Sequence, residues 1–328
     1  MLRLPSVIAI LSVLAICPLT VRAQDQVGVE QPTTLPSLPP VDSAGDSGAI
    51  DQALDQTLPP FEFHGAIADA LARLSSQTNL RITATQSVWD ILPWGQDTVV
   101  RINVRNATVR QALDRITRRI GLTYIVGADG VTLEPMPALA RMGRRATTND
   151  LLLLDALAGA QAELRPDTTV HDLVSIVDRR LYFLHSPYAV DNRAFDSSTD
   201  GQTLSIPRNA TLLDALEQLP QQTDATWYPN GQSLLICKKV DAIRTMLSRR
   251  VNLNFQNENI EQVLSDLSDR CGVPFIYTPG ALQRVPPDYR RVSLTLRHAT
   301  VQDTLNIISG QTGLTFEPTS DGVKVASH

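Results

Sequence analysis

Apolar residues recur along this chain at positions i, i+3, i+4 and i+7 in six separate segments, the spacing that lines one face of an α-helix. The sets are Ile67-Ala70-Leu71-Leu74, Val109-Ala112-Leu113-Ile116, Val170-Leu173-Val174-Val177, Leu212-Ala215-Leu216-Leu219, Ile260-Val263-Leu264-Leu267 and Val301-Thr304-Leu305-Ile308. The pattern predicts helices built on one template, each with a buried and a solvated face.

The helix boundaries repeat as well. Thr108, Thr169, Thr211, Asn259 and Thr300 stand immediately before the first apolar residue, and Gln111, Asp172, Asp214, Gln262 and Asp303 follow three places later. This spacing is a capping box: the first side chain accepts from orphan amides of the opening turn, and the later one reaches back. The first helix departs, with Ala66 and Asp69 in these places, and is expected to fray. At the far ends stand Asn79, Gly121, Gly272 and Gly313, residues suited to the left-handed conformation that terminates a helix. Tyr182 and Asp224 take this place in the middle of the chain.

Alternating segments precede the helices, among them Val100-Ile102-Val104, Val251-Leu253-Phe255 and Val292-Leu294-Leu296. Each repeat closes on Asp129-Gly130, Asn230-Gly231 or Asp321-Gly322, dipeptides that suit a type I′ hairpin turn. The order strand, helix, strand, then strand, helix, strand, strand predicts an α+β fold of three tandem βαβ-βαββ modules, each with two helices packed on small sheets. The modules are placed at 61–137, 150–241 and 249–326, the middle one being the most divergent. Residues 149–161 suit either a linker helix or an extra strand.

Three helices follow nearly the same phrase: Arg105-Asn106-Ala107-Thr108, Arg208-Asn209-Ala210-Thr211 and Arg297-His298-Ala299-Thr300. The first two copies satisfy the glycosylation pattern N-x-Thr. The cap already accounts for the threonine, and His298 replaces the asparagine in the third copy. The phrase therefore reads first as a structural joint and second as a sugar site.

The start of the chain reads as an export signal, residues 1–23: Arg3, an apolar stretch, then Val21-Arg22-Ala23 before Gln24. Residues 24–60, rich in Pro, Ser, Asp and Gln, read as a disordered linker. No later stretch reaches the roughly 20 apolar residues of a membrane span, so a soluble periplasmic protein is expected. A net charge of −5 argues against a nucleic-acid partner, and the five Arg-Arg pairs are scattered, as solvated helix faces would be. Cys237 and Cys271 fall in different repeats and are expected to be reduced, half-buried thiols.

Catalytic chemistry is not signalled. His64, His171, His185, His298 and His328 stand alone, without metal-ligand spacing, and no nucleophile elbow, phosphate loop or dinucleotide fingerprint is present. Neither an enzyme, a cofactor nor a metal site is expected. The connections between the two halves of each module are more informative, because they concentrate aromatic residues in a chain that is only 5% aromatic. Trp89 and Trp94, Tyr188 and Phe195, and Tyr277 and Tyr289 are the candidate partner-binding residues, the alternative being that they cap a small core. Strand edges of the small sheets offer a second docking mode.

The stretches "VNLNFQNENIEQVLSDLSDRCGVPFIYTPG" and "RVSLTLRHATVQDTLNIISGQTGLTFEPTSDGVKV" resemble the secretin and TonB short N-terminal domain. The resemblance covers 249–326 and 61–136 closely and about 160–240 loosely, and it rests on spacing and apolar character. It implies a compact α+β module that docks to other envelope proteins, here in three copies without a secretin pore or receptor barrel. The expected function is a non-enzymatic envelope scaffold whose partner is a secretin-like, TonB-type or signalling complex of the outer membrane or envelope. The alternative is recognition of a glycan or peptidoglycan strand by the aromatic loops.

Overall fold

In the computed structural model every apolar stripe packs inward as helix, flanked by strands that pair across the module rather than along the sequence. Residues 46–162, 164–165, 168–183, 188–195 and 201–327 are described. The expected export signal and the linker up to residue 45 lie outside them.

The first module begins earlier than its composition suggests. Helix α1 (Asp46–Leu54) and strand β1 (Thr57–Leu58) occupy the end of the expected linker. Leu54 and Leu58 are 0% and 3% exposed, and burying two leucines at roughly 2 kcal/mol each offsets much of the ordering entropy that the polar composition leaves uncompensated. The linker reading is corrected accordingly for residues 46–60.

Beyond it run β2 (Phe61–Ala66), α2 (Ile67–Thr78), β3 (Ile82–Ala84), α3 (Gln86–Ile91), β4 (Val99–Val104), β5 (Ala107–Thr108), α4 (Val109–Arg119), β6 (Leu122–Gly127) and β7 (Gly130–Pro135). Strands β2 and β4 pair antiparallel, as do β1 and β5. A three-stranded sheet has the order β3-β7-β6, with β3 parallel to β7.

Helix α5 (Pro137–Ala140) then leads to α6 (Thr148–Gly159), which settles the ambiguous stretch as a helix. The middle module contains α7 (Val170–Phe183), β8 (Ala189–Asn192), α8 (Leu212–Leu216), α9 (Leu219–Gln222), β9 (Ala225–Asn230) and β10 (Ser233–Lys238). It keeps the three-stranded sheet, order β8-β10-β9, while in place of the strand pair the described residues show the isolated bridges Gln161–Thr211 and Thr169–Thr203. The predicted single helix after Thr211 breaks into α8 and α9 because Pro220 has no N–H to donate back to Leu216.

Helix α10 (Lys239–Leu247) opens the third module: β11 (Arg250–Asn259), α11 (Ile260–Cys271), β12 (Phe275–Tyr277), α12 (Ala281–Arg284), β13 (Arg291–Thr300), α13 (Val301–Thr312), β14 (Leu314–Pro318) and β15 (Val323–Ser327). Its sheets repeat those of the first, β11 with β13 and the order β12-β15-β14.

Two backbone hydrogen bonds recur at equivalent places in all three modules. The first closes Ile67 N to Thr98 O, Val170 N to Gln202 O and Ile260 N to Arg290 O at 2.8–2.9 Å. The second closes Val109 N to Gln56 O, Leu212 N to Ala160 O and Val301 N to Arg249 O at 2.9–3.1 Å. The architecture is thus three tandem α+β modules, each preceded by a helix that the apolar stripes did not reveal. A single buried cluster runs from Leu54 to Ala242 through the first two modules, with Trp227 fully buried, and a separate one serves the third.

The quoted phrase resolves into two devices. Thr108, Thr211 and Thr300 form complete capping boxes. The residue two places earlier is left-handed in every copy, with φ of 51° at Asn106, 62° at Asn209 and 52° at His298. Asparagine tolerates that region best after glycine, which explains its use twice.

Other boundaries follow or depart in detail. Asn79, Gly272 and Gly313 are left-handed C-caps, and Ala66 makes no side-chain cap. Asn259 accepts from Glu261 N at 2.9 Å, a single cap instead of a box with Gln262. The hairpins are not type I′, since only the glycine of each dipeptide has positive φ. At Gly130 and Gly322 the reason is crowding: an added Cβ would lie 2.2 Å from the carbonyl oxygen of Arg81 or Pro274. Those carbonyls accept from Val131 N and Val323 N where the parallel strand joins the hairpin. Cys237 and Cys271 are free and fully buried rather than half-buried.

Candidate functional site

The six aromatic candidates divide by module and by burial. Trp89, on α3, packs partly buried against the core, whereas Trp94, just before a short 3-10 turn at Gly95–Asp97, is 59% exposed. Trp94 borders a shallow concavity with Pro93, Asp97, Val99 and Arg145. In the corresponding connection of the third module Tyr289, in the 3-10 turn Pro287–Tyr289, is 54% exposed, and Tyr277 on β12 is also exposed.

The middle pair behaves differently. The Tyr188 hydroxyl donates to the carbonyl of Asn149 at 2.9 Å, and Phe195 packs against the first core. Burial, and then the charge of Asp150, push the Tyr188 phenol up from its ordinary value. The structure therefore does not gather the six into one surface. Trp94, Tyr277 and Tyr289 face solvent; Trp89, Tyr188 and Phe195 are mainly structural. Tyr182 and Phe183, outside the three aromatic connections, are more exposed still and meet edge to face at 6.0 Å between ring centroids.

A second feature is the short segment joining the first two modules. Arg141 forms a two-pronged pair with Glu217, at 3.2 and 3.0 Å, and donates to the carbonyl of Trp227 at 3.2 Å. Both side chains are largely shielded, so removing either would strand a charge in poor solvent. Arg144 makes a second fork onto Asp150, at 2.9 and 3.1 Å. Gly143, with φ of 57°, lies so close to α10 that a Cβ would sit 2.1 Å from the carbonyl oxygen of Thr245. Arg145 donates to Leu92 O at 3.1 Å, and Ala146 N to Ile91 O at 2.7 Å. One segment thus touches all three modules.

Asp150 is the centre of this joint. Its side chain is fully buried and accepts from Arg144, from the amide and hydroxyl of Thr147 at 2.7 Å each, and from the amide of Gly231 at 2.7 Å. Burial pushes the carboxyl upward, and the hydrogen bonds from Arg144, Thr147 and Gly231 together outweigh it, leaving the group below its ordinary value. The signal for this residue was available: Thr147-x-x-Asp150 has the capping-box spacing used elsewhere.

For covalent or metal chemistry the arrangement offers little. Among the described residues no group of three or more His, Cys, Asp or Glu side chains could hold a metal ion. Burial pushes both the Cys237 and the Cys271 thiol up to about 11, which leaves little thiolate near neutrality. Among the described residues no helix is long and apolar enough to cross a membrane. No family model matches this sequence, and no match to it is found among curated proteins or solved structures.

Proposed function

We propose that this protein is a non-enzymatic docking scaffold of the cell envelope, exported to the periplasm, where its three modules engage an envelope or outer-membrane protein complex of secretin-like, TonB-type or signalling character. The resemblance to the secretin and TonB short N-terminal domain supports the reading. So does the use of the recurring residues as caps, joints and core rather than reactive groups. The observation that carries it is the pair of equivalent connections in the first and third modules, which hold Trp94 and Tyr289 out in solvent. Exposed aromatic residues on a rigid scaffold are the usual anchors of protein–protein contacts.

Recognition of a glycan is the weaker alternative, because Trp89 is committed to the core and leaves Trp94 as the sole exposed tryptophan of its loop. A photo-crosslinking residue placed at 94 or 289 in intact cells tests both. The scaffold reading expects a discrete protein adduct, diminished by excess unlabelled protein. Adducts to peptidoglycan alone, or turnover of a small molecule by the purified chain, would replace it.

A further inference from the structure

The Arg-Arg pairs that look scattered in the sequence are not all scattered in space. Arg144 and Arg145, from the joining segment, line one cleft of about 800 Å³ with Arg249 and Arg250, from the entry to β11, and Arg270, from the end of α11. Asp90 on α3 is the carboxylate on its wall. Of the five guanidiniums, Arg144 is held by Asp150, and Arg270 donates to Asp266 at 2.7 Å. Arg250 lies in the field of Asp303.

Arg249, like Arg145, donates to a carbonyl and not to a carboxylate among the described residues. Its Nη1 donates to the carbonyl of Arg270 at 2.9 Å, and no carboxylate stands within ion-pair distance of it among the described residues. Burial pulls its guanidinium below the ordinary value, the cost of holding a cation in a partly desolvated wall. Crowding like charges into a concavity is unfavourable unless a counter-charge is bound there, and the low-dielectric walls then focus the field on it. Guanidinium forks match the planar oxygens of carboxylate and phosphate groups better than they match halide or neutral ligands.

We infer that this cleft, at the meeting of the joining segment with the third module, binds a ligand carrying several oxyanions, phosphate or carboxylate. The site shares Arg145 with the concavity beside Trp94 and goes beyond the proposed docking function in its ligand. Because Arg144 and Arg145 belong to the joining segment and Arg249, Arg250 and Arg270 to the third module, an occupied cleft ties the two together.

Titration calorimetry of the full chain with tripolyphosphate and with citrate, at low and high salt, tests the assignment. Saturable binding of either probe is expected, weakened by salt, and reduced at least about tenfold in the exposed double variant Arg145→Glu/Arg250→Glu. Arg105→Glu/Arg297→Glu, which changes net charge equally but lies elsewhere, is expected to bind as the parent does. Binding of tripolyphosphate alone identifies a phosphoryl ligand, and of citrate alone a carboxylate ligand. Absence of saturable binding by either probe, or equal weakening in both double variants, would overturn the site. Retention of an acidic peptide without either probe would overturn it in favour of a protein contact.

Discussion

The backbone amide of Gly231, at the tip of the β9–β10 hairpin, donates to the Asp150 carboxylate at 2.7 Å. One buried carboxylate thereby accepts from the Thr147 amide at the start of its own helix, holds Arg144 and fixes a hairpin from the far end of the same module. Replacing Asp150 with Ala is expected to cost on the order of 3 kcal/mol, since it leaves a guanidinium and two amides without their acceptor. Urea unfolding of the full chain measures it, and a change below about 1 kcal/mol would contradict this account.

The same residue sets a pH dependence. Its folded-state value lies below the ordinary 3.8, so its contribution to stability is complete above that value and disappears as pH falls through the folded one. Asp150→Asn is expected to be less stable at neutrality and to lose less on acidification below about pH 4 than the parent. Parallel loss in both proteins would show that other carboxylates govern acid unfolding.

Hairpin glycines give a sharper contrast. Gly322→Ala places a methyl group 2.2 Å from the Pro274 carbonyl oxygen at φ of 148°, while Gly231→Ala meets nothing within 4 Å at φ of 68°. The first is expected to cost on the order of 3 kcal/mol and the second about 1 kcal/mol. Equal costs would mean that conformation alone, and not the approach of the parallel strand, selects glycine there.

The left-handed joint can be tested where it deviates. His298→Asn is expected to stabilise the third module by about 0.5 kcal/mol, and His298→Val to destabilise it by about 1–2 kcal/mol, because branching at Cβ is least compatible with φ of 52°. Thermal melts of the two variants should therefore move in opposite directions. A stabilising valine would rule the explanation out.

Capping offers a gain as well as a loss. Thr300→Ala removes a complete box and should cost about 0.5–2 kcal/mol. Ala66→Thr would supply the acceptor missing ahead of α2, with Asp69 already at the reciprocal position, for a gain of about 1 kcal/mol. Amide exchange in the first turn of α2 should slow in that variant.

By itself, the sequence determined the local order of this protein: the apolar stripes at 3.6-residue period, the threonine caps and the glycine or asparagine stops are short-range features whose physics is complete within a few residues. Exposure of Trp94 and partial burial of Trp89 were not legible, because both lie in the one connection between β3 and β4 and only the fold shows which faces the core. Of the helices that lead the modules, those at 46–54 and 239–247 show no full apolar stripe, and that at 148–159 reads equally as helix or strand. Residues 46–54 carry apolar side chains only at Ala49, Ile50, Ala53 and Leu54, too short a run to show a full stripe, and the stretch Leu151-Leu152-Leu153-Leu154 is apolar without a single face. Tertiary structure alone decided that Asp150 should meet Gly231 and that Arg144, Arg145, Arg249, Arg250 and Arg270 should share a cleft. Such meetings depend on how modules pack, and long-range electrostatic complementarity leaves no period in the chain.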